Sequence, residues 1–152
     1  MRVHIGSDHA GFDLKNHLVS ALTAEGHDVV DHGPPELDPE DDYPVYCIPA
    51  AEGAVAEPGT LAIVIGGSGN GEQIAANKVI GTRAALAYDL DTAKLARQHN
   101  DANVISIGAR MHTETEAMDM VRTFLTTPFS GDPRHARRIA LLADYERTRG
   151  GQ

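Results

Sequence analysis

Apolar residues fall into two kinds of run along this chain. Short, almost unbroken runs occur at "VHIG" (3–6), "DVVDH" (28–32), "LAIVIGG" (61–67), "RAALAY" (83–88) and "NVISIG" (103–108). Between them, apolar positions recur at helical spacing, as in Leu14, Leu18, Ala21 and Leu22, or Met120, Val121, Phe124 and Leu125. Strands without polar alternation belong to a parallel sheet covered on both faces, so the pattern predicts five strands, each followed by a helix. A doubly wound α/β sandwich with right-handed crossovers follows. The Pro-rich, acidic "HGPPELDPEDDYP" (32–44) reads as a long surface loop before the second helix. "TTPFSGDP" (126–133) separates the fifth helix from an extra C-terminal helix running from about Arg134 to Arg149.

Composition narrows the picture only slightly. The 152 residues, 41% of them hydrophobic, suit a single domain, 1–152, with a real core. The N-terminus lacks an apolar leader and no run approaches the length of a membrane span, so a soluble, cytoplasmic protein is expected. A formal net charge of −9 argues against nucleic acid or an anionic membrane as partner. An anionic ligand must therefore meet a local basic cluster. The single cysteine, Cys47 in "VYCIPAA", reads as the buried side of a helix rather than a nucleophile.

Ligands of open α/β sheets bind beyond the carboxyl ends of the strands, which here carry Asp8, His9, Ser68, Glu72 and Arg110. "GGSGNGEQ" resembles a phosphate loop, but Glu72 stands where a dinucleotide motif needs its third glycine, and the P-loop spacing is missing too. An α/β nucleotide-binding module is thus disfavoured. Two readings of Glu72 remain: a first-turn acid serving the helix dipole, with Asn70 and Gln73 as a capping box, or a base beside backbone amides that hold an oxyanion.

In "PRHARRIA", Pro133 opens a helix, and Arg134, His135, Arg137 and Arg138 crowd its positive end. Arg134 and Arg138, four apart on one face, suit one phosphate, unless the cluster is a solvated patch paired with surface carboxylates. His99, where a helix ends before the fifth strand, either complements the helix dipole or shuttles a proton. Asp8 and His9 are equally suited to capping the first helix. Metal-ligand spacings are missing, and no metal or cofactor is expected.

The blocks "GSDHAGFDLK", "DDYP", "GGSGNGEQIAANK", "ARQHNDANVISIGARM" and "RHARRI" together resemble the B-type ribose-5-phosphate isomerases, in the family that also holds galactose-6-phosphate isomerase subunits. The resemblance spans essentially the whole chain. It implies a three-layer α/β/α sandwich with a five-stranded parallel sheet ordered 2-1-3-5-4. It also implies a homodimer or tetramer with active sites at a subunit interface, and cofactor-free interconversion of an aldose and a ketose phosphate in the pentose phosphate pathway. Carried over by position, His99 opens the sugar ring with help from Asp8, and Ser68, Gly67, Gly69 and Gly71 bind the enediolate. His9, Arg110, Arg134 and Arg138 bind phosphate, and Asn100 touches the sugar. Many such proteins use a cysteine at the position of Gly66 as base. A subgroup similar to this chain uses a glutamate at the position of Glu72 instead, and the resemblance makes Glu72 the base here. A six-carbon allose or galactose phosphate, or a four-carbon tetrulose phosphate, stays open as substrate, as do the parts played by Tyr43 and His135.

Overall fold

The computed structural model describes residues 1–150. Its elements are β1 (Arg2–Ser7), α1 (Phe12–Ala24), β2 (Asp28–Asp31), α2 (Pro44–Ala56), β3 (Leu61–Gly66), α3 (Asn70–Ala76), β4 (Ala84–Leu86), α4 (Leu90–Asn100), β5 (Val104–Gly108), α5 (Glu114–Thr126) and α6 (Pro133–Tyr145). A 3₁₀ turn, His9–Gly11, precedes α1, and a π-helical turn, Glu146–Gly150, prolongs α6. The last helix is therefore α-helical only to Tyr145, short of the predicted Arg149. The sheet is parallel throughout, in the order β2-β1-β3-β5-β4.

Alternation along the central strands divides the core into two. Val3, Ile5, Ile63, Ile65, Ile105 and Ile107 face α1, α4 and α5, meeting Leu14, Leu18, Leu22, Val121 and Phe124. Ala62, Val64, Ala84 and Val104 face α2 and α3, meeting Cys47, Ala50, Ala51, Ala54, Ala75 and Ala76. β3 and β5 are buried along their whole length, which is why they read as unbroken apolar runs. Cys47 is fully buried, as expected, and burial pushes its thiol pKa upward.

Two features set the limits of the sheet. On the edge strand β4, the Asn77 side chain accepts from Ala84 N–H at 2.9 Å and donates to the Ala84 carbonyl at 3.1 Å. The Gln73 side-chain amide donates to the same carbonyl at 3.2 Å. Beyond β4, α6 buries only one of its residues, His135, and leaves Leu141, Leu142 and Tyr145 exposed. Among the described residues no helix is long and apolar enough to cross a membrane.

Candidate active site

At the carboxyl end of β3 the chain turns through Gly67 and Ser68 into Gly69, whose φ of 87° is the left-handed conformation that glycine adopts without strain. Ser106 on β5 fixes this turn by donating to the Gly69 carbonyl at 2.7 Å. Helix α3 begins at Asn70, so Gly69 is its cap and the predicted Asn70–Gln73 capping box does not form. Instead Asn70 N–H donates to Ser68 Oγ at 3.2 Å, and Gln73 is drawn away to β4.

Glu72, in the first turn of α3, folds back over the preceding strand. Its carboxylate occupies the space directly above Gly66, where a Cβ would overlap it. The residue is 4% exposed. Burial pushes its carboxyl pKa up and the nearby Asp8 charge acts in the same direction, while the backbone amides of Glu72 and Gly69 oppose them. Glu72 is thus a desolvated carboxylate in the first turn of α3. Part of the amide nest is engaged, Asn70 N–H by Ser68.

Around Glu72 stand the other groups from the strand ends. Asp8 caps the 3₁₀ turn through Oδ1, which accepts from Ala10 and Gly11 N–H, so its capping role is real. His9 donates its backbone N–H to Asp41, and its Nδ1 lies 2.8 Å from the same carboxylate oxygen. The Arg110 guanidinium lies against Gly67, 3.2 Å from where a Cβ would stand. The Tyr43 ring covers Gly71, with its hydroxyl 2.8 Å from a Cβ placed there. Asp8, His9 and Asp41 each offer one ligand atom, all within 4.8 Å of one another, a spacing that could hold a cation. The His9–Asp41 hydrogen bond occupies two of those atoms and would have to give way.

The remaining predicted residues lie at the opposite end of the sheet, where the strands begin. His99 and Asn100 end α4, just before β5 begins. Asp101, at φ 44°, terminates the helix, held by Arg97 at 2.9 Å, while Arg83 donates to the Asn100 carbonyl at 2.9 Å. His99 and Asn100 are thereby presented, exposed, on a pinned turn. The start of α6 packs here: the His135 and His99 rings are 4.3 Å apart, and His135 Nδ1 is 2.8 Å from Ser130 Oγ. Asp132 caps α6 by accepting from Arg134 N–H at 2.8 Å, supplying part of the anionic compensation its basic start needs. Among the described residues no carboxylate lies within ion-pairing distance of Arg110, Arg134 or Arg138, and all three are exposed, so they are solvated but not paired. Five residues of parallel strand rise roughly 16 Å. Glu72, Ser68, Asp8, His9 and Arg110 therefore lie at the carboxyl ends of the strands, and His99, Asn100, Arg134 and Arg138 at the opposite, amino ends.

A family model described as "Ribose/Galactose Isomerase" matches residues 3–142. The chain belongs to this family. It is 58% identical over 148 residues to ribose-5-phosphate isomerase B of Mycolicibacterium paratuberculosis, covering 97% of this chain and 93% of that one. Identity to ribose-5-phosphate isomerase B of Mycobacterium tuberculosis is 57% over 148 residues, covering 97% and 91%. Among solved structures, ribose-5-phosphate isomerase B of Mycoplasma genitalium with bound ribulose 5-phosphate superposes with a TM-score of 0.93 at 40% identity, covering 97% of each chain. Membership of the ribose/galactose isomerase family accounts for the strand order and removes the nucleotide-binding alternative. Three contacts escaped the sequence reading: Asp41 on His9, His135 on His99 and Tyr43 on Gly71. Each joins segments far apart in the chain or rests on a glycine's missing side chain. Only the clustered acids of "DDYP" and the histidine inside the arginine cluster hinted at them.

Proposed function

We propose that this chain is an aldose–ketose isomerase that interconverts D-ribose 5-phosphate and D-ribulose 5-phosphate by a 1,2-proton shift without a cofactor. The observation that carries this reading is the Glu72 carboxylate, desolvated over Gly66 beside a glycine turn, in a chain so similar to ribose-5-phosphate isomerases B. After ring opening, Glu72 removes the proton from C2 of the open aldose. The C2–H electrons form the C1–C2 double bond and the carbonyl oxygen takes the negative charge. Ser68 and the amides of Gly67, Gly69 and Gly71 stabilise this cis-enediolate. The O2 hydroxyl proton passes to O1, and as the carbon-bound proton returns from Glu72 to C1 the O2 electrons form the C2 carbonyl, completing the ketose. A carboxyl pKa raised by burial makes Glu72 a better base than an exposed glutamate.

His99 delivers the proton to the ring oxygen on opening, Asp8 and Asn100 hold the sugar hydroxyls, and His9, Arg110, Arg134 and Arg138 hold the phosphate. Because these residues lie at the two opposite strand ends of one sheet, we assign each site to two copies of the chain. One contributes the glycine turn, the other the end of α4 and the start of α6. The exposed apolar face of α6 and the cavity of about 870 Å³ between α3, β4 and α6, lined by Leu142, Tyr145 and Asn100, support such an interface. A cytoplasmic homodimer or tetramer is the corresponding assembly.

The deciding experiment is an isomerisation assay on five-, six- and four-carbon aldose phosphates with chelator present, for the wild type and Glu72→Gln. Turnover is expected on ribose 5-phosphate, with kcat reduced by roughly 10²–10⁴ in Glu72→Gln and KM little changed. Preference for a six- or four-carbon phosphate would move the substrate, and near-normal kcat in Glu72→Gln would remove the base.

A further inference from the structure

The acidic loop before α2 is exposed from Pro35 to Glu40, yet Asp41 turns inward and its side chain is only 4% exposed. One oxygen, Oδ1, takes two contacts from the same residue: His9 N–H at 2.9 Å and His9 Nδ1 at 2.8 Å. The other, Oδ2, is buried with no hydrogen-bond partner. Burying a carboxylate oxygen without a donor is unfavourable, and anchoring a loop to a backbone N–H does not need a charge. The arrangement calls for something that an uncharged acceptor would not provide.

An ionised carboxylate accepts only, so the His9 nitrogen facing it carries the proton and Nε2 is turned away from Asp41. If Nε2 is to donate to a phosphate oxygen, the ring must hold both protons and become a cation. A negative charge 2.8 Å from its other nitrogen is then the natural counterpart. The other acid of this cluster, Asp8, already spends Oδ1 on the amides of Ala10 and Gly11. We propose that Asp41 is a positioning residue for phosphate binding: it fixes the His9 ring with Nε2 directed outward, and it balances the imidazolium that grips the phosphate. This rests on the reading of His9 as a phosphate ligand.

The test is a double-mutant cycle with ribose 5-phosphate as substrate and inorganic phosphate as competitive inhibitor, with Tm recorded for each variant. Asp41→Ala should raise KM and the inhibition constant of inorganic phosphate together, by about tenfold, with kcat within about twofold of wild type. Asp41→Asn keeps an oxygen for both His9 donors but lacks the charge, so both constants should rise by roughly threefold at unchanged Tm. His9→Ala should match Asp41→Ala, and the double variant should be no worse than His9→Ala alone. Independent, multiplying effects of the two substitutions would overturn the proposal. So would a lower Tm in Asp41→Ala with both phosphate-dependent constants unchanged, the behaviour of a simple loop anchor. Should Asp41→Ala not fold, wild-type constants in Asp41→Asn overturn the charge role by themselves. A His9→Ala variant with normal constants would instead defeat the phosphate role of His9, and the inference with it.

Discussion

The Glu72 carboxylate rests where the side chain of residue 66 would begin, so the two positions compete for one volume. Gly66→Ala should drive the carboxylate from its seat and lower kcat by on the order of 10²-fold while far-ultraviolet circular dichroism stays native. The same burial has a cost for stability. A carboxyl pKa raised in the folded state means that the unfolded chain ionises first, so stability is lost as pH rises through that interval and the deficit persists at neutral pH. Glu72→Gln should thus raise Tm at pH 7, by roughly 2–4 °C for each kcal/mol relieved. The gain should fade near pH 4 and below, where the carboxyl is protonated in both states, and calorimetry at the two pH values checks it. A drop in Tm at pH 7 would mean that the carboxylate's service to the α3 amides outweighs its desolvation. Sequence alone left that balance open. The acid was visible in a first turn, but its burial depends on a missing Cβ six positions earlier, on the strand that leads in. Asp41 and His9, thirty-two residues apart, were still less legible.

At the scale of elements, the strands were readable because each buried strand is a continuous apolar run, and their ends were missed by only a residue or two. Helix starts followed local chemistry where a cap was present, as with Asp89 and Thr92 on α4 and Thr113 and Glu116 on α5. α3 broke that pattern because a left-handed glycine, not an asparagine, begins it. Lys15 defied the periodicity of α1 as well. It is fully buried because Asp31, at the end of β2, receives its ammonium at 2.8 Å. The pairing of β1 and β2 carries a second consequence. His4 Nδ1 and His32 Nε2 lie 2.8 Å apart with their rings stacked, and burial lowers both imidazole pKa values, with each proton on His32 further opposing one on His4. Asp31 and Glu52 act against this at His32, and Asp28 and Glu57 at His4. With both folded-state values depressed, this contribution to stability is present above about pH 6.5 and is lost as pH falls through them. The urea midpoint should therefore decline from pH 7 to pH 5, and His32→Gln should flatten that decline. An unchanged slope would exclude the pair as its source.

For the molecule as a whole, the proposed site halves sit at opposite strand ends of one sheet, so a single copy holds the parts of two incomplete sites. Mixing Glu72→Gln with His99→Ala, each inactive alone, should restore about one quarter of wild-type activity after random exchange of subunits, because each mixed dimer holds one intact site. Recovery of nothing, with exchange verified by mass, would place each site within one chain. The layered fold could be read from the alternation of strands and helices, whereas this division could not. It follows from α4 running antiparallel to the sheet, which carries His99 away from Glu72. How copies meet is also constrained by the edges. β2 is four residues long with an aspartate at each end, and the backbone of β4 at Ala84 is occupied by the carboxamides of Asn77 and Gln73. In the proposed assembly, a newly made copy thus offers an oily helix but hardly any bare ladder. On that reading its encounters with other copies would be channelled into closed, countable complexes, with little template on which a fibril would grow.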